Sequence, residues 1–253
     1  MIGEPNAPDW LVRRPIAHRG LHDRAAGTIE NSLAAARAAV AGGFAVECDV
    51  QLAADGEAVV FHDAALDRLT ASTGPVAALR SADLCAIALA GSATDRIPTL
   101  TALLDAIDRR VPLICEVKSG FSGDMRLADR VAELATAYGG PLAIKSFDPA
   151  VIAHLRGLGT AIPLGIVAEA SYDDPEWAAL APDMRAGLAA LAHVADTRPD
   201  FLSWRVHDLP HAAPMLFRVA LGRPVMSWTV RTPDQRQRAA RWADQMVFEG
   251  FAP

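Results

Sequence analysis

Short apolar runs alternate along this chain with longer segments rich in alanine and leucine, and this alternation limits the fold more than any other feature. The runs are Ile16 to His18, Phe44 to Val50, Leu113 to Lys118, Leu142 to Ser146, Pro163 to Val167, Phe201 to Trp204, Val225 to Val230 and Gln245 to Phe248. Helical patterns occupy Asn31 to Val40, Thr99 to Arg109, Asp124 to Tyr138, Pro149 to Leu158, Pro175 to Leu191, Pro214 to Leu221 and Pro233 to Trp242. Several open on a fitting cap or a first-turn proline, as at Asp148-Pro149 and Thr232-Pro233. Eight strands interleaved with helices over 253 residues predict an α/β fold, the (β/α)8 TIM barrel. An open doubly wound sheet reads almost the same. The barrel is favoured because no GxGxxG follows the first run and no GxxxxGK[ST] occurs anywhere, which removes the usual nucleotide reasons for an open sheet.

The stretch from Asp63 to Pro98 breaks the rhythm and reads as a small insertion after the second strand, at the active end of the barrel. No repeat, low-complexity tract or linker marks a second unit, so residues 1–253 are expected to form a single barrel domain. The net charge of -6 argues against a nucleic-acid partner, which would call for a basic footprint. The opening "MIGEPNAPDWLVRRP" lacks an apolar signal core, and no stretch approaches the ~18 uncharged apolar residues of a spanning helix. A soluble, cytoplasmic protein without stable membrane insertion is expected, its oligomeric state left open. Cys48, Cys85 and Cys115 form neither an even framework nor a CxxC pair, which suits a reducing compartment and small buried side chains.

In "VECDVQLAADGEAVVFHD", from Val46 to Asp63, strand alternation sends Glu47 and Asp49 to one face and Val46, Cys48 and Val50 to the other. "LICEVKS" repeats the phase, with Ile114, Glu116 and Lys118 together. If the apolar faces meet the helices, Glu47, Asp49 and Glu116 converge inside the barrel near the C-terminal ends of its strands. With both neighbouring cysteines turned away, such a site favours a hard divalent cation, Mg2+ or Ca2+ with Mn2+ as a third option, over zinc. A two-residue turn at Asp55-Gly56 would pair His62 with Asp49 and set it over the site, whereas a slip of one residue would turn it away. His18 closes the first strand facing inward, and Gly20 frees the chain to turn. Two histidines flanking a metal site can serve as paired acid and base, and Arg19 and Lys118 supply local positive charge for a phosphate.

Together these residues resemble one family. "HRG" at 18–20, "ENS" at 30–32, "ECD" at 47–49, "HD" at 62–63 and "EVK" at 116–118, followed by "KSFDP" at 145–149 and "SWTVR" at 227–231, resemble the glycerophosphodiester phosphodiesterases over nearly the whole chain. The resemblance implies a (β/α)8 barrel, a divalent cation on Glu47, Asp49 and Glu116, proton transfer by His18 and His62, and a phosphate steadied by Arg19 and Lys118. It also implies that Trp228 lines the pocket beside the glycerol. The expected reaction is metal-dependent hydrolysis of a small glycerophosphodiester to glycerol 3-phosphate and an alcohol. A lysophospholipid or other lipid phosphodiesterase is the alternative on the same scaffold, with the segment Val76 to Ala90 supplying an apolar groove. A non-catalytic phosphodiester-binding protein is the other, disfavoured by the intact histidine pair. Three positions depart from the family pattern: Glu249-Gly250 replaces a terminal Thr-Asp pair, Ile29 replaces a proline, and Lys145 replaces a neutral polar residue as an expected extra contact for an anionic substrate.

Overall fold

The computed structural model describes residues 7–253, so the first six residues of the opening stretch lie outside the described residues. Eight parallel strands close a barrel in the order β1 (Ile16–Ala17), β2 (Ala45–Leu52), β4 (Leu113–Val117), β5 (Leu142–Ser146), β6 (Leu164–Ala168), β7 (Phe201–Arg205), β8 (Val225–Val230) and β9 (Gln245–Phe248). The ring closes at β1, where Ile16 lies beside Ala45 on one side and Val247 on the other. A ninth strand, β3 (Ala58–Val60), pairs antiparallel with the end of β2. All eight expected runs become barrel strands, their ends shifted by a residue or two. The expected helix from Pro175 to Leu191 divides into a 3-10 turn, Pro175–Trp177, and a helix, Pro182–Ala189. Proline forces its predecessor Ala181 into an extended conformation and itself begins a new helix at its first turn.

Alternation sorts the side chains into two layers. Val46, Cys48, Val50, Leu113, Cys115, Val117 and Ile144 point outward into the core shared with the surrounding helices. Cys48 and Cys115 are therefore buried, as small apolar residues would be. Inside, Ile16, Ala45, Ile114, Ala143, Phe201, Met226 and Val247 form an apolar floor together with Leu11 of the short helix Trp10–Arg13. Gly165 makes room for that floor, since a Cβ there would lie 2.2 Å from the Phe201 ring. The inward-facing phase of β2, β4 and β5 also carries the buried charged residues Glu47, Asp49, Glu116 and Lys145.

The β2–β3 hairpin corrects one expectation. Its turn holds three residues, Ala54, Asp55 and Gly56: Gly56 takes the left-handed conformation at φ +83°, and the Ala53 N–H donates to the Glu57 carbonyl at 2.9 Å. This longer loop moves the register by one, pairing Val50 with Val60 and Gln51 with Val59. Asp49 therefore accepts from the N–H of Phe61 at 3.0 Å, and Phe61, not His62, stands opposite it. The insertion from Asp63 to Pro98 folds over the hairpin with a core of its own, in which Val76, Leu84 and Leu89 pack on Ile29, Phe61, Leu66 and Ile97. Val76, Leu84 and Leu89 are buried in that core, whereas Leu79 and Ile87 of the same segment are half-buried against it. Among the described residues no helix is long and apolar enough to cross a membrane.

Candidate active site

The C-terminal ends of the strands surround a cleft of about 690 Å³, lined among others by His18, Arg19, Asp49, His62, Glu116, Lys118, Lys145 and Trp228. The in-phase carboxylates of β2 and β4 meet as alternation requires. Glu47, Asp49 and Glu116 are buried, and one oxygen of each lies within 4.8 Å of the others. Oxygen is the only donor type, the three carboxylates are anionic, and the neighbouring cysteines face the opposite layer, so the residues fit a hard divalent cation.

Three cations balance these three anions. Lys118 Nζ lies 2.8 Å from Asp49 Oδ1 and also donates to Glu116. Lys145, beside Glu116 in the β4–β5 register, reaches Glu47 Oε1 at 2.9 Å and Glu116 Oε2 at 3.0 Å. It faces inward as expected, but its contacts go to carboxylates of the protein. Arg19 sits at φ +55°, which aims its backbone N–H at Glu47 Oε2 (3.0 Å) and its Nε at Asp49 Oδ2 (3.2 Å). Gly20 follows at φ +79° and packs so tightly that a Cβ would lie 2.8 Å from Ala35, which accounts for the glycine in the turn.

Burial alone would raise the carboxylate pKa values, but the cations outweigh it. Asp49 is held well below the usual range by Lys118 and Arg19, and Glu116 is lowered to about 2 by Lys118 and Lys145. Burial likewise opposes the charge on Lys118, yet Asp49 and Glu116 leave its pKa raised.

Each histidine holds a carboxylate through Nδ1. His18 contacts Glu249 Oε2 at 2.7 Å, and Arg231 reaches the same oxygen at 2.9 Å. His62 contacts Asp63 Oδ1 at 2.6 Å, and Arg68 bridges Asp63 to Glu30, which in turn accepts from Arg19 at 2.6 Å. An Nδ1–H donated to a carboxylate leaves Nε2 as the nitrogen for proton exchange. Past the end of β3 strand alternation no longer governs the chain, and His62 lines the cleft despite the changed register, its carbonyl accepting from Gln51 Nε2 at 2.9 Å. Trp228 also lines the cleft, its indole N–H donating to the Ser203 carbonyl at 3.0 Å.

Sequence reasoning gave no roles to four residues that shape the site. Asn31, at φ +57°, donates to Asp49 Oδ2 at 3.0 Å and accepts from the Asp49 N–H at 3.2 Å, so it clamps that carboxylate. Glu30 and Asp63 orient Arg19 and His62, and Glu249 orients His18. The available signals were the place of Glu30 and Asn31 in "ENS", of Asp63 in "HD", and the departure at Glu249.

Comparison with known proteins agrees with this geometry. A model of the glycerophosphoryl diester phosphodiesterase family matches residues 18–251. The protein YhdW of Bacillus subtilis (strain 168), by its name a candidate glycerophosphodiester phosphodiesterase, is 30% identical over 166 residues, which span 62% of this chain and 66% of that relative. That span is just under two thirds of the relative's length. Among solved structures, a phosphodiesterase of Oleispira antarctica in complex with the product sn-glycerol-3-phosphate superposes with a TM-score of 0.75 at 22% identity, covering 92% of this chain and 91% of that one. The glycerophosphodiester phosphodiesterase of Thermotoga maritima gives 0.71 at 22% identity, over 93% and 94% of the two chains. At these identities the two structures establish a shared fold.

Proposed function

The chain belongs to the glycerophosphoryl diester phosphodiesterase family, and from that premise we propose that it hydrolyses small glycerophosphodiesters to glycerol 3-phosphate and an alcohol. The observation that carries the reading is the pairing of two cleft histidines, each with a carboxylate on Nδ1, with one buried triad of carboxylates. Residues 1–253 act as one barrel unit in this reading, and the free cysteines suit a cytoplasmic setting.

Glu47, Asp49 and Glu116 would hold Mg2+, Ca2+ or Mn2+. Such an ion, when bound, supplies Lewis-acid neutralisation of charge on the phosphoryl oxygens. The chain's own groups do the rest. Arg19 and Lys118 bind the phosphodiester anion, and Trp228 offers a flat apolar surface to the glycerol carbons. One of His18 and His62 takes a proton at Nε2 from the attacking water or glycerol hydroxyl as its oxygen bonds to phosphorus, and the other gives its Nε2 proton to the alkoxide as the P–O bond to the alcohol breaks; where the glycerol hydroxyl attacks, water then opens the cyclic phosphate with the two roles reversed. Glu249 and Asp63 hold the two rings in the orientation this requires. The product that crystallised with the Oleispira protein supports the assignment of glycerol 3-phosphate.

The test is a panel of glycerophosphodiesters and lysophospholipids, assayed before and after EDTA treatment and after return of each ion. Small glycerophosphodiesters should be hydrolysed, EDTA should stop turnover, and the ion should restore it. Full activity in thoroughly chelated protein would remove the metal from the reading. Turnover of lysophospholipids alone would replace the substrate.

A further inference from the structure

The cleft lining is of two kinds, charged and aromatic. Charges of both signs balance around the carboxylate triad. Another part of the lining is aromatic: Phe121, Phe147, Trp177 and Trp228 all line the cleft and all remain partly exposed. Phe147 packs against Trp177 and Trp228 with ring centroids 5.0 and 5.5 Å away, and Phe121 meets Trp177 edge-on at 6.2 Å. Trp177 is fixed from behind by the buried Tyr172, 5.0 Å away, and by its N–H donated to Glu169 at 2.5 Å. Large rings held in place at a wet surface contribute less burial than they could, which marks a wall built for contact with a ligand.

The same part is acidic. Glu169, Asp174 and Glu176 bring carboxylate oxygens within 4.8 Å of one another. Arg205 pairs with Glu169 at 2.8 Å and with Asp174 at 3.2 Å, so one cation faces three carboxyl groups, the exposed Asp174 and Glu176 and the buried Glu169, whose pKa burial pushes up. The remaining cation-forming groups lining that part are engaged elsewhere, Arg231 with Glu249 and His207 with Gln235. Aromatic faces backed by net negative charge attract a weakly hydrated cation.

We propose that this wall seats the departing alcohol and selects one bearing a quaternary ammonium group. The inference rests on the reading that the charged part cleaves glycerophosphodiesters. A zwitterionic diester then lies across the cleft, its phosphate on Arg19 and Lys118 and its ammonium against Phe147 and Trp177. A neutral alcohol gains only apolar contact there, and an anionic one faces carboxylates.

The experiment compares glycerophosphocholine with the 3,3-dimethylbutyl ester of glycerol 3-phosphate, which has the same shape without the charge. Wild-type kcat/KM should favour the choline ester by roughly 30-fold, equivalent to the ~2 kcal/mol of a desolvated cation–π contact. Trp177→Leu and, separately, Glu176→Gln should lower that ratio; the second variant keeps the test intact if the first fails to fold. A wild-type ratio near one, or a preference for an anionic headgroup, overturns the proposal. If neither ester is cleaved, the functional reading fails and the wall is tested by itself through tryptophan fluorescence of the wild-type protein. Saturable quenching by choline but not by 3,3-dimethylbutanol would uphold the subsite, and an equal response to the two would overturn it.

Discussion

Replacing Lys145 by methionine asks whether the carboxylate layer is neutralised from within. Lys145 is 2% exposed and lies between Glu47 and Glu116 at 2.9 and 3.0 Å, so solvent cannot take over its role. Burial opposes its charge, but Glu47 and Glu116 more than offset that and raise its pKa, keeping it an ammonium at working pH. Methionine has similar length and no charge. Its introduction leaves three buried anions facing only Arg19 and Lys118. Removing one partner of a buried ion pair costs about 3 to 5 kcal/mol, and in a chain of this size each kcal/mol lowers Tm by about 2 to 4 °C. The metal-free variant should therefore melt roughly 6 to 20 °C below the wild type.

Metal binding should move the other way. In the wild type a dication held by those oxygens would also meet the Lys145 ammonium. At a separation of about 5 Å and an effective dielectric constant of about 20, charges of two and one repel by roughly 7 kcal/mol before the side chain relaxes. If only a fifth of that survives relaxation, about 1.4 kcal/mol remains, a tenfold change in Kd. Isothermal titration with Mg2+, Ca2+ and Mn2+ should show at least about tenfold tighter binding in the variant, and melting curves should show a larger rise in Tm on metal addition than in the wild type. Equal or weaker binding with an unchanged metal-free Tm would refute the reasoning, because Lys145 would then not be the counter-charge of the triad.

His18→Ala and His62→Ala should each lose about 100- to 10,000-fold in kcat while calorimetric metal affinity barely changes, and an ester whose alcohol leaves without protonation should rescue whichever variant lacks the acid. Glu249→Gln should cost His18 its anionic partner, lowering kcat by at least about tenfold with little change in KM; an unchanged kcat would reduce Glu249 to packing. Glu30, Glu116 and Glu249 are each lowered to about 2 in the fold from an ordinary 4.5, because Arg68 and Arg19, Lys118 and Lys145, and His18 and Arg231 respectively outweigh burial. Depressed carboxylates contribute stability that is fully present above about pH 4.5 and lost as pH falls toward 2, so Tm should decline across that window, and a Tm flat from pH 5 to 2 would contradict these pairings.

The carboxylate triad was legible in the sequence from strand alternation alone. Whatever the register between strands, a period of two puts Glu47 with Asp49 and Glu116 with Lys118. With the cysteines and valines outward, those acids had to meet inside. The hairpin was harder, because its register depends on turn length, and Gly56 serves a three-residue loop as well as a two-residue one. His62 lines the cleft through the chain that leaves β3, a path no periodicity encodes. Asn31 was hidden for a similar reason: its clamp on Asp49 needs a left-handed backbone and a partner 18 residues away.

Lys145 and Glu249 show what closure of the barrel adds. Both stood out as departures from the family pattern, and the inward phase of Lys145 was readable from "LAIKS". Its partner was not, since that depends on the β4–β5 register setting Lys145 beside Glu116. Glu249 lies 231 residues from His18 in the chain and reaches it because β9 pairs with β1 at the seam. Local sequence gives such a pair no signal, and the fold makes it a neighbour at 2.7 Å. The first strand therefore presents a histidine whose orientation is set by the residue that follows the last strand, so a disturbance of the seam should be felt first at His18 and only later in the β2–β4 layer that holds the triad.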